Sequence, residues 1–165
     1  MLKKENYNEL LIFLFSFFSF AVLNYLFYQN FLHLNYVPQI KNYVYADWKI
    51  VINAAICNSQ GYDVYLENPC DLLNRRFTYG PILLSLPFLD IAKNFYYIYF
   101  PLIVNFLFIF TISKILKPKK LGTFVLIFLL FCSQPVLLGL ERANTDLLIF
   151  TILVVSSLLR KTIFS

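Results

Sequence analysis

Three groups of polar side chains interrupt an otherwise apolar chain, and each contains residue types that can do chemistry. The first is Asp47 beside Trp48. A carboxylate can take the proton of a hydroxyl that comes within hydrogen-bond reach, or it can ligate a metal. The same two residues also fit a structural role, with Asp47 capping a helix and Trp48 anchoring it at a membrane–water interface. The second group is Glu141-Arg142-Ala143-Asn144-Thr145-Asp146. Asn144 can cap the following helix, and Asp146 in its first turn suits the helix dipole. Capping leaves Glu141 and Arg142 unexplained, and charged groups set between two apolar runs are expected at functional sites. The third group is Arg75-Arg76, preceded by Gly61-Tyr62-Asp63-Val64-Tyr65 and Asn68-Pro69-Cys70-Asp71 and followed by Phe77-Thr78-Tyr79-Gly80-Pro81. A guanidinium offers several donors in a fixed fork that matches a phosphate. Turns of an exposed loop account for the same residues, and both readings stay open.

Cys57 and Cys70 fall in one stretch and can pair if it faces an oxidising compartment. Cys132 lies in an apolar run and reads as a small core residue. With His33, these cysteines lack the close pairs of a zinc site, so no zinc site is expected and no metal-ligating residues are assigned. The chain has no glycine-rich phosphate loop, serine-nucleophile elbow or Cys-x-x-Cys.

The elements that must position these groups follow from composition. Hydrophobic residues make up 59% of the chain and charged residues 14%, against about 25% charged in a soluble domain. The apolar residues come in runs that hydrocarbon, rather than water, solvates. The expected fold is an all-α, polytopic transmembrane helix bundle forming a single integral-membrane region over 1–165. Spans are expected at about 10–28, 95–116, 121–138 and 147–159. The run at 10–28 lacks a small-residue cleavage site and reads as an uncleaved anchor rather than a signal peptide. The stretch 82–89, punctuated by Pro81 and Pro87, is too short to cross.

Between the first two expected spans, about 29–94 forms an outer loop. Within it a short helix from Asp47 to Gln60 should stop before Gly61. Trp48, Val51, Ile52, Ala55 and Ile56 share one face of that helix, while Lys49, Asn53 and Gln60 share another. This pattern predicts an amphipathic helix in the membrane interface.

The net charge of +5 is distributed in small clusters at the ends of apolar runs: Lys3 and Lys4; Lys114, Lys117, Lys119 and Lys120; Arg160 and Lys161. Such placement suits topology signals and membrane lipid headgroups, and it excludes nucleic acid as a partner. All three clusters fall on one side of the expected spans. A cytoplasmic N-terminus follows, in the plasma membrane, with both loops rich in polar residues facing out.

The order and membrane side of these segments resemble the C-type superfamily of integral-membrane glycosyltransferases, and within it glycosyltransferase family 87, the polyprenol-phosphate-mannose-dependent mannosyltransferases. The first-loop Asp47, Gly61-Tyr62-Asp63-Val64-Tyr65 and Phe77-Thr78-Tyr79-Gly80-Pro81 carry the likeness. So does Glu141-Arg142-Ala143-Asn144-Thr145-Asp146, which looks like that group's Glu-Arg-Gly-Asn-x-Asp, with Ala143 in place of glycine.

The resemblance implies inverting transfer of a hexose, mannose above all, from a polyprenyl-phosphate donor to an extracytoplasmic acceptor. It makes Asp47 the catalytic base and adds Glu141 to the catalytic centre. Glu141 and Asp146 would shape the donor site, with Asn144 beside them, and Arg75, Arg76 and Arg142 are the candidates for the phosphate. It requires no organic cofactor and leaves a divalent cation open. Relatives continue into further helices, so it also implies a missing C-terminal part or a partner subunit. The competing class is a non-enzymatic membrane protein, such as an assembly factor or transporter subunit. A transporter should carry charge at mid-membrane depth, where this chain has only Asn24 and Asn105.

Overall fold

The computed structural model describes residues 4–28, 44–85 and 95–163. Every regular element among them is helical. Helix α1 covers Lys4–Tyr28 and α2 covers Ala46–Ser59. A 3-10 turn follows at Pro81–Ser85, and a π turn at Phe95–Tyr99 runs into α3, Phe100–Leu116. Then come α4 at Leu121–Phe131, α5 at Gln134–Arg142 and α6 at Thr145–Ile163. Lys3, His33 and Pro87 lie outside the described residues.

Two helices are long and apolar enough to cross a membrane, over Asn8–Phe27 and Phe95–Leu116. They pack antiparallel: Phe13 meets Phe110, Phe20 meets Phe106, and Glu9 near the start of α1 pairs with Lys114 near the end of α3. In α1, Ile12, Ser16, Ser19, Leu23 and Phe27 form one buried stripe at helical spacing. The two serines keep that stripe narrow enough for close helix approach. Ser16 Oγ donates back to Ile12 O at 2.7 Å, so its hydroxyl is satisfied within the helix. Leu14, Phe17 and Phe18 on the opposite face remain exposed, as side chains solvated by hydrocarbon would be.

The expected span at 121–138 is instead two helices, α4 and α5, bent by 62° at their break. Ser133 is extended and Pro135 opens α5; proline has no N–H to continue the helical ladder. Cys132 stands at the C-terminal cap of α4, at the break between the two helices. The apolar part of α6, Thr145–Ser157, is shorter than a spanning segment. The described residues therefore hold two helices of spanning character, or three if the bent pair counts as one.

Helix α2 starts and ends one residue before the sequence suggests, stopping before Gly61, which has φ +90°. Its surroundings differ from an interfacial helix with one free face. Ala46, Asp47, Trp48, Ile50, Val51, Ile52, Asn53, Ala54, Ala55 and Cys57 are all buried. Trp48 stacks on Phe100 with 4.7 Å between ring centroids, and its Nε1 donates to Tyr96 O at 3.0 Å. Asn53, expected on the polar face, accepts the Tyr97 hydroxyl. The π turn and the loop after α2 close over it, because a helix with this many apolar positions buries more than one stripe.

Candidate active site

The site forms where the start of α2, the end of α5 and the loop at 70–79 meet. Tyr45 precedes α2 with φ 62° and gives it no side-chain cap. Its N–H donates to Glu141 O at 2.8 Å, tying the start of α2 to the last turn of α5. Asp47 is thus not the N-cap the sequence allows but a residue of the first helical turn, and its carboxylate turns to α5 instead. A negative charge there remains favourable against the helix dipole.

Glu141 and Arg142 belong to the last turn of α5, not to an open loop. The carbonyls of Gly139, Leu140 and Glu141 near the C-terminus of α5 each have a partner. Asn144 N–H donates to Gly139 O at 3.0 Å and Ala143 N–H to Leu140 O at 3.3 Å, with Ala143 left-handed at φ 48°. This is the Schellman arrangement, in which the left-handed position favours glycine. Asn105 of α3 adds a bond from Nδ2 to Leu140 O at 2.8 Å, which explains a buried amide inside an apolar helix. Asn144 then caps α6, its Oδ1 accepting Asp146 N–H at 2.9 Å, while Asp146 itself is exposed.

Held this way, Arg142 donates from Nε at 2.9 Å and from Nη2 at 2.5 Å to the same oxygen, Asp47 Oδ1. A second guanidinium approaches that oxygen, with Arg75 Nη1 at 3.9 Å. Arg75 is fixed by Asp71: Nε donates to Oδ2 and Nη2 to Oδ1, each at 2.9 Å. Nη2 also reaches Ala46 O at 2.9 Å. Asp71 further accepts the N–H groups of Leu73 and Arg75. Burial pushes the Asp71 carboxyl up, but the bonds and charge of Arg75, with the Leu73 N–H, hold it below its ordinary value.

The loop carrying Asp71 is braced by the disulfide joining Cys57 of α2 to Cys70. It is braced also by Phe77 N–H donating to Val64 O at 2.9 Å between two buried side chains. Arg76, adjacent in sequence, is exposed. The two arginines that looked equivalent are therefore divided.

Tyr79 joins the cluster from the same loop. Its phenol lies close enough to Thr145 to interact with it and feels the charges of Asp47, Arg142 and Arg75. Burial first, then the Asp47 charge, pushes this phenol up, partly offset by Thr145 and the two arginines. Asp71, Tyr79 and Thr145 carry no site role in the sequence reading. Asp71 had one signal, its i,i+4 spacing to Arg75, whereas the partners of Tyr79 and Thr145 are remote in sequence. Glu141 lines a largely apolar cavity of about 410 Å³ with Asn24, Tyr45 and Leu102.

Side-chain exposure rises from 11% at Asp47 to 23% at Arg75 and 34% at Arg142. Arg142 is thus the most accessible of the three charged groups. Such an arrangement can bind an oxyanion on guanidinium and accept a proton on carboxylate at one place. Among the described residues no group of three or more His, Cys, Asp or Glu side chains is placed to hold a metal ion. The chain matches no protein-family model, no curated protein and no solved structure.

Proposed function

We propose that this protein is a membrane glycosyltransferase that moves a hexose, mannose above all, from a polyprenyl-phosphate donor to an acceptor outside the cytoplasm. The observation that carries the reading is the meeting of Asp47 with Arg142 and Arg75. Transfer of a phosphate-linked sugar needs a base for the acceptor hydroxyl and cations for the leaving phosphate. The acceptor oxygen attacks C1 of the sugar, the C1–O bond to phosphate breaks, and Asp47 takes the hydroxyl proton. Polyprenyl phosphate leaves with its negative charge against guanidinium. The resemblance to glycosyltransferase family 87 supports the same roles.

The cluster sits at the end of α1 and α3 opposite Lys114, where a donor anchored in lipid would present its headgroup. In this reading the lysine-rich end is cytoplasmic in the plasma membrane, α4–α5 and α6 complete four spans, and α2 lies at the outer surface. The test is transfer from labelled polyprenyl-phosphate mannose or glucose in membranes containing the chain, against an Asp47→Ala variant. Donor-dependent transfer that disappears in the variant supports the reading; no transfer with either donor, from stably inserted protein, counts against it.

A further inference from the structure

We infer that Asp47 and the lipid phosphate compete for Arg142, so that phosphate binding itself frees the Oδ1 atom of the base; the identity of the phosphate rests on the function proposed above. Arg142 spends Nε and Nη2 on Asp47 Oδ1, and that oxygen is the one Arg75 Nη1 also faces. While Oδ1 carries the two Arg142 donors, a hydroxyl approaching it finds the oxygen occupied.

The two arginines are not equally able to let go. Arg75 is held by Asp71 at both carboxylate oxygens and by Ala46 O, and its loop is cross-linked to α2. Arg142 has Asp47 as its acceptor and is the more exposed of the two, at 34% against 23%. Its Nη1 takes no part in the Asp47 contact. A phosphate can therefore dock on the outer edge of Arg142 first, then draw the guanidinium off Asp47, while Arg75 stays in place. The donor binds first, and only then does Oδ1 become available to the acceptor.

Binding of labelled short-chain polyprenyl phosphate to the protein in lipid nanodiscs tests this without any sugar transfer. Removing the internal competitor by Asp47→Asn should tighten binding about tenfold, and Arg142→Gln should weaken it. Unchanged or weaker binding by Asp47→Asn, with the emission of Trp48 as in the wild type, overturns the inference. Carbodiimide labelling of Asp47 in the wild-type protein gives a second reading that needs no variant to fold. Labelling should rise when polyprenyl phosphate is bound, whereas a fall or no change overturns the inference. An equal response to inorganic phosphate at the same concentration would overturn the assignment to a lipid phosphate. A protein that couples phosphate to Asp47 yet transfers no sugar loses only the glycosyltransferase reading; one that transfers sugar without the coupling loses only this inference.

Discussion

Asp47 and Arg142 stand 95 residues apart in the chain and meet at a single carboxylate oxygen, Oδ1. Each is at a helix end whose dipole favours its charge, the N-terminus of α2 and the C-terminus of α5. The ion pair is therefore also a joint between two helices. Asp47→Ala and Arg142→Ala should each destabilise the protein by about 1–3 kcal/mol, below the cost of breaking a fully buried pair because Arg142 is partly exposed. The double variant should lose less than the sum, by roughly 1–2 kcal/mol in a double-mutant cycle of unfolding in mild detergent. Strict additivity would mean that the two side chains do not interact.

Asp71 anchors Arg75, and the acid sensitivity of the loop should follow from it. A carboxyl held below its unfolded value contributes stability above that value and loses it as pH falls through the folded one. The loop at 70–79 should stay ordered at neutral pH and through about pH 5, then open as Asp71 takes up its proton in more acidic solution. Asp71→Asn should open the same loop at pH 7, leaving the protection of its amides against hydrogen exchange, relative to their intrinsic rates, insensitive to acid. Wild-type exchange that shows no acid step beyond that of the variant would remove Asp71 from this role.

Ala143 occupies a left-handed position, φ 48°, at the end of α5. Ala143→Gly should raise stability by about 0.5–1 kcal/mol, because glycine takes this conformation without the clash of a Cβ. A destabilised variant would mean that the buried methyl group contributes more by packing than it costs in backbone strain.

The Cys57–Cys70 bridge spans a sequence separation of 13 residues. Replacing both cysteines with serine should cost about 3 kcal/mol, through the freedom returned to the unfolded chain. Alkylation before and after reduction, read by mass spectrometry, should show two protected thiols in the native protein. If both label before reduction, the loop lacks this brace.

The long apolar runs were legible because hydrocarbon burial leaves a composition signal over many residues. Both the extent of α1 and the stop of α2 before Gly61 follow from local pattern and backbone preference. The bend at Ser133 was signalled only in part, since Pro135 marks a break without giving its angle. Individual site residues could be singled out by charge, but their pairing could not. Nothing local says that Asp47 turns to Arg142, or that Arg75 joins Asp71 and Asp47 while Arg76 is exposed. Those outcomes depend on α2 being wrapped by later segments, which its apparent two-faced pattern did not foretell.

The most direct measurement is release of free polyprenyl phosphate by purified protein in nanodiscs supplied with polyprenyl-phosphate mannose and a cell-envelope acceptor extract. This product forms in any transfer, whatever the acceptor. The account predicts acceptor-dependent release that Asp47→Ala lowers at least a hundredfold, in line with loss of a general base. Release that is unchanged in Asp47→Ala, or absent from wild-type protein with both mannose and glucose donors, would contradict it.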